Sequence, residues 1–184
     1  MALSTAAVLS ALELLGIPLI LLAFYLDGLI VGKITPPAAL YVVYVAVYVP
    51  APGMLIAVAV ASTIAATLGQ FTVYRGFNEK SPEFVGLRRR LPYVDRVPFL
   101  IRERVGERRV AIVAGLFDRF GGAALAVTNA IPGIRSLMAI PAGLSSYPRA
   151  RFLLFSTIGN GLYVVLLTAA ALGLVDLAGL VPTP

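Results

Sequence analysis

From Ile34 to Tyr74 the chain runs for 41 residues without an Asp, Glu, Lys or Arg, and from Phe152 to Val175 for another 24. A stretch of about 18 or more apolar residues reads as a membrane span. In lipid each backbone N–H and C=O needs a partner inside the protein, which restricts what can cross. Charged residues make up only 13% of the sequence, against roughly 25% in a soluble domain. The runs therefore predict an all-α integral membrane protein that crosses more than once. At 184 residues they predict a single membrane domain over 1–184, with no room for a second.

Absent residue types narrow the function. The chain has no Cys and no His, which removes thiolate nucleophiles, disulfides, imidazole bases and most zinc enzymes. An intramembrane aspartyl protease needs two Asp in the membrane, and only Asp27 lies deep in apolar sequence. No catalytic residue, metal or cofactor is expected. The net charge is +6, and Arg75 to Arg109 alone holds 10 basic and 5 acidic residues. Basic loops favour the cytoplasmic side, and beside a bilayer they meet anionic headgroups rather than nucleic acid. Residues 1–12 carry no basic residue, which argues against a cleaved signal peptide.

Three stretches follow: a first half over 1–75, an interfacial segment over 76–109 and a second half over 110–184. Pro18 interrupts the first apolar run, and proline both removes a helix hydrogen bond and clashes with the preceding turn. The expectation is a helix to about Gly16, a break, and a second piece to about Val31, either kinked or re-entrant. Thr35-Pro36-Pro37 starts a helix that Pro50 to Gly53 stops. Its 13 or so residues reach only about 20 Å, short of a hydrocarbon core of about 30 Å. Tyr41, Tyr44 and Tyr48 share one face of it and are read as packing and interfacial residues. Met54 to Tyr74 is a full span. In it, Ala57, Ala61, Ala65 and Gly69 form a small-residue stripe for close helix approach. In the middle segment Ser81-Pro82-Glu83 caps a short helix. The basic cluster Arg88, Arg89 and Arg90, interleaved with apolar residues, predicts helices lying along the cytoplasmic interface.

From Val110 to Tyr147 the sequence is apolar but dense in breakers: Gly121-Gly122, Asn129, Pro132-Gly133 and Pro141. This predicts a hairpin that enters and leaves on one side and turns near Asn129 to Gly133. Pro148 then starts a last spanning helix. Broken segments at Pro18 and at Pro132-Gly133 suggest two re-entrant hairpins in an inverted-repeat arrangement around a midplane site.

A charge at the bilayer centre costs roughly 2.5–3.5 kcal/mol on insertion scales, so it usually faces a cavity or a partner. Glu13, Asp27 and Arg135 are the prime cases, and Arg119 joins them nearer the interface, where it can snorkel. Burial raises a carboxylate's pKa and a neighbouring arginine lowers it, so Glu13 or Asp27 is a candidate proton carrier. Arg135 follows a Pro-Gly break that is expected to start a half-helix, whose amides and dipole favour an anion. Its planar fork of donors suits phosphate.

The run Asn129-Ala-Ile-Pro132-Gly133-Ile-Arg135, then Ile140-Pro141-Ala142-Gly143-Leu144-Ser145, then Ala150-Arg151-Phe152, Phe155, Gly159 and Tyr163, resembles the DedA family, the VTT or SNARE-associated membrane domain. Phe117 to Gly121 resembles its lead-in, and Gly69, Tyr74 and Gly76 its first-half pattern. The resemblance implies opposed re-entrant hairpins, a multi-pass protein of the cell membrane, and flipping or scrambling of a phosphate-headed lipid, polyprenyl phosphate or phospholipid. It also implies proton coupling through two acids and two arginines. Carried over by position, Arg135 matches the second arginine, Glu13 the first acid and Asp27 the second. Asn129 stands where the first arginine would be. The partners implied are lipids and protons; a homo-oligomer stays open. A scaffold that binds anionic lipid or a partner protein without transport is the alternative reading.

Overall fold

The computed structural model describes residues 5–29, 37–78, 115–131 and 134–177, with side chains over 15–29, 37–78, 115–131 and 134–174. All regular elements among them are helices: α1 (Thr5–Gly28), α2 (Pro37–Tyr48), α3 (Pro52–Phe77), α4 (Gly122–Asn129), α5 (Ala139–Leu144) and α6 (Arg149–Leu177). A further helical stretch over 115–120 leads into α4.

Two of these, α3 and α6, are long and apolar enough to cross a membrane. Their 26 and 29 residues correspond to about 39 and 43 Å at 1.5 Å per residue. Their apolar surface faces outward. Ile56, Val60, Ile64 and Leu68 on α3, and Leu154, Ile158, Leu162 and Val165 on α6, are exposed. Contiguous exposed apolar surface of this extent marks contact with lipid or another protein. The opposite faces pair antiparallel: Thr63 meets Gly161, Asn160 bonds to Thr67, and Tyr74 stacks on Phe152.

The buried residues of α3 are Val58, Ser62, Ala66, Thr67, Gly69, Gln70 and Tyr74; Gly69 belongs to the small-residue stripe expected from the sequence, whereas Val58, Ser62 and Ala66 stand one position after its three alanines. Ala57 is exposed, and Ala61 and Ala65 are only partly covered. Gly69 makes a tight crossing. A Cβ there would strike the Tyr25 carbonyl oxygen and Gly28 Cα, and one on Gly28 would strike α3 backbone in return. The α1–α3 contact thus depends on two glycines, a spacing that neighbouring alanines do not reveal.

Helix α1 runs unbroken through Pro18, which corrects the expected break there. Proline removes one hydrogen bond, but the helical pattern on both sides continues, and Leu15 and Leu19 flank it as exposed residues. The helix ends at Gly28, not near Val31. The expected start of α2 at Thr35, the short helix at Ser81 and the breaks at Pro132 and Gly133 lie outside the described residues. The 12-residue α2 is as short as expected. Its Tyr41 is fully buried, edge-on to Phe24, with its hydroxyl 2.8 Å from Thr168 Oγ1 on α6. Tyr41 and Tyr44 are therefore packing residues, as read from the sequence.

The segment from α4 to α5 folds into the bundle and returns. At its start, Gly122 packs against the Phe155 ring and the Tyr147 hydroxyl; at its far point, Asn129 packs against Gly159; on its return, Gly143 lies against Tyr74 and Phe77. Entry and exit both lie at the end where α3 finishes and α6 begins. The exit is tied there by Tyr74, whose hydroxyl donates to the Tyr147 carbonyl and accepts from Asn78 Nδ2.

Candidate functional site

At the far point of that hairpin lies a buried polar cluster drawn from every long helix except α2. It sits about 16 Å along α6 from Arg149, eleven residues at 1.5 Å each. Helix α3 contributes Thr67 and Gln70, α4 contributes Asn129, the turn over 134–138 contributes Arg135 and Ser136, α6 contributes Asn160 and Tyr163, and α1 contributes Asp27.

Gln70 is the hub. Its Nε2 lies 3.2 Å from Asn129 Oδ1, 3.3 Å from Asn160 Oδ1 and 3.4 Å from the Arg135 carbonyl. Its Oε1 accepts from Asn129 Nδ2 at 3.0 Å and from Asn160 Nδ2 at 3.1 Å. Asn160 Nδ2 also donates to Thr67 Oγ1 at 3.0 Å. Buried amides without partners would each cost free energy comparable to a lost hydrogen bond, and here three of them satisfy one another. Gly159 lets α4 approach closely enough for this: a Cβ there would collide with the Ala126 carbonyl oxygen and Asn129 Cβ.

Arg135 occupies the next layer. Nη2 donates to Asn160 Oδ1 at 3.2 Å, and Nε lies 3.1 Å from Asp27 Oδ2. The guanidinium carbon is 4.0 Å from the Tyr163 ring centroid and 5.7 Å from that of Phe24, within cation–π range. Nη1 is buried and makes no hydrogen bond among the described residues. Ser136 Oγ donates to the Asp27 carbonyl at 2.7 Å. That carbonyl belongs to the last turn of α1, where helix carbonyls lack intrahelical partners, so the serine caps α1 while its neighbour pairs with the same residue's carboxylate.

Asp27, Asn129 and Arg135, singled out from the sequence, thus converge. Arg119 does not join them: it is exposed, its guanidinium 5.2 Å over the Phe120 ring, at the entry end of the hairpin. The half-helix expected after Arg135 is α5, which has six residues and begins only at Ala139. It is too short and too far along the chain to aim a dipole at the arginine, so the positive charge there is the guanidinium's own. The side chain of Glu13 and all of Arg88, Arg89 and Arg90 lie outside the described residues. Gln70, Asn160, Thr67, Ser136 and Tyr163 are the members that reading for charge passes over. Gln70 is the one glutamine in the chain, set in a charge-free run, and a strong hydrogen-bonding side chain in such a run asks for a partner on another helix.

Fold and cluster together define an all-helical protein with two helices long enough and apolar enough to cross a membrane and a polar centre between them. No family model matches the chain, and no curated protein or solved structure matches it.

Proposed function

We propose that this chain is a DedA-like, multi-pass protein of the cell membrane that flips or scrambles a phosphate-headed lipid, with Arg135 receiving the phosphate while the lipid tail stays in the bilayer. The observation that carries the reading is a buried arginine with an unpartnered Nη1, held where a re-entering hairpin meets the end of α1. A guanidinium is suited to phosphate through paired in-plane donors, and its place midway along α6 suits a group that must be handed between leaflets. The meeting of the end of α1 with the turn over 134–138 through Asp27, Ser136 and Arg135 supports reading them as the two tips of an inverted-repeat arrangement. Asp27 serves as proton carrier or counter-charge. Asn129, hydrogen-bonded to Gln70, leaves this site with one arginine where the resembled family has two.

Orientation follows from charge. Arg75, Arg119, Arg149 and Arg151 all lie at the hairpin's entry end, and the basic run to Arg109 continues the chain from there. The positive-inside rule turns that end, with residues 76–109, to the cytoplasm.

The test is reconstitution. In liposomes, labelled lipid phosphate should cross faster with the protein than without it, measured with and without a pH step. Arg135→Lys keeps the charge but loses the planar fork and should cut the rate at least about tenfold, an effect on the scale of one charge-assisted hydrogen bond. A lysine variant matching the parent would remove Arg135 from the site. The second reading, a scaffold, draws on the same network: amides and an ion pair that pin four helices and a turn together suit a purely structural role. No flipping under any gradient would favour it.

A further inference from the structure

The two members of the ion pair are not equally accessible. Asp27 is 20% exposed and Arg135 4%, so the carboxylate is the outer partner and the guanidinium the inner one. Tyr163 covers one flank of the guanidinium, with Phe24 also within range. Nη2 is engaged by Asn160 and the Nε edge faces Asp27. An oxyanion binds arginine best through two parallel N–H donors in the guanidinium plane. While Asp27 stays, Nη1 has neither a hydrogen bond nor an ion-pair contact among the described residues. The pair is held by charge and not by a directed bond, because neither Asp27 Oδ2 nor Arg135 Nε makes an aligned hydrogen bond despite their 3.1 Å separation. The Asp27 backbone is held separately through Ser136, so the carboxylate can rotate away without releasing the end of α1.

We propose that Asp27 is an internal stand-in for the ligand: it occupies Arg135 in the empty site, and a phosphate oxyanion takes the guanidinium over by displacing it. This rests on the reading of Arg135 as an anion site. The chemistry recognised is the phosphate oxyanion, as a lipid headgroup or as free phosphate. Two anions cannot share one guanidinium in a buried site without strong repulsion, so binding is an exchange. The returning carboxylate then helps eject the phosphate. Asp27 sets how tightly the site holds its ligand, which makes it a positioning residue for release.

The experiment uses the full chain in detergent with dodecyl phosphate, inorganic phosphate and, as uncharged control, dodecanol, read by calorimetry and by melting temperature. Asp27→Asn should bind dodecyl phosphate about tenfold or more tightly than the parent, within the usual range of coupling between sites. Its melting temperature should also rise more on ligand addition than the parent's. Asp27→Ser, a second neutral variant, should behave alike should the first not survive extraction, whereas Asp27→Glu should bind no tighter than the parent. The same ordering with inorganic phosphate makes the headgroup sufficient; the ordering with dodecyl phosphate alone makes the lipid tail necessary; both outcomes support the exchange. If the parent binds and both neutral variants bind equally or more weakly, the exchange is wrong and the anion site stands. Absence of binding in the parent and in every variant, or full binding by Arg135→Lys, overturns the exchange and the anion site together.

Discussion

Gln70 offers two N–H groups and two lone-pair directions, and Asn129, Asn160 and the Arg135 carbonyl take all of them. Gln70→Leu keeps the volume and removes the hub, orphaning amides on α4 and α6. The expected loss is about 1–3 kcal/mol, the cost of leaving a buried group unsatisfied. It falls toward the lower end because interhelical hydrogen bonds in membranes average about 0.6 kcal/mol. Unfolding of the purified variant in graded denaturing detergent measures it, and a transition coincident with the parent's would mean the network holds nothing. Asp27 and Arg135 were legible in the sequence because charge in apolar surroundings is conspicuous. Gln70 and Asn160 were not, because an uncharged amide changes a hydropathy pattern little while changing the packing a great deal.

At the scale of elements, the long apolar helices and the chain reversal were legible, and the continuity of the first helix through Pro18 was not. Charge-free runs specify α3 and α6 by length alone. The breakers between Gly121 and Pro141 specify a chain reversal, because no regular span accommodates so many. Pro18 misleads because a single proline is a local defect that a long helix can carry, whereas a reversal needs several breakers close together. Which residues line a helix crossing depends on the partner's rotation, and the sequence of α3 alone does not hold that: hence the one-residue offset between the alanine stripe and the buried row. The hairpin can be tested directly, since the chain has no cysteine. Ala123→Cys and Leu144→Cys, at exposed positions on its two arms, should react with an impermeant maleimide from the same side as Arg151→Cys. Ala51→Cys, in the α2–α3 turn, should react from the other side. Labelling of Ala123→Cys and Leu144→Cys from opposite faces would show that the segment crosses instead of returning.

For the molecule as a whole, the charges among the described residues are unevenly placed: Arg75, Arg119, Arg149 and Arg151 gather at one end, apolar side chains are exposed along α3 and α6, and the Asp27–Arg135 pair sits within. The basic run 75–109 should tether that end to anionic lipid. Replacing Arg88, Arg89 and Arg90 together with Gln should weaken association with anionic vesicles by up to about 1 kcal/mol per residue and leave helical content by circular dichroism unchanged. Loss of helix in the triple variant would place those arginines inside the fold.

The bonds of the polar cluster join residues separated by 25 positions between Arg135 and Asn160 and by 59, 65, 90, 93 and 109 positions elsewhere. Assembly is therefore ordered in time. When α3 first leaves the ribosome, Gln70 has no amide to meet; Asn129 arrives some sixty residues later, and Asn160 later still. Until α6 is in place Gln70 and Asn129 have each other, but Arg135 lacks its Asn160 acceptor and the Tyr163 ring that covers its guanidinium. Helix α6 is thus the closing piece among the described elements: a chain ending before Asn160 would keep the Gln70–Asn129 pair but leave the arginine side of the centre open.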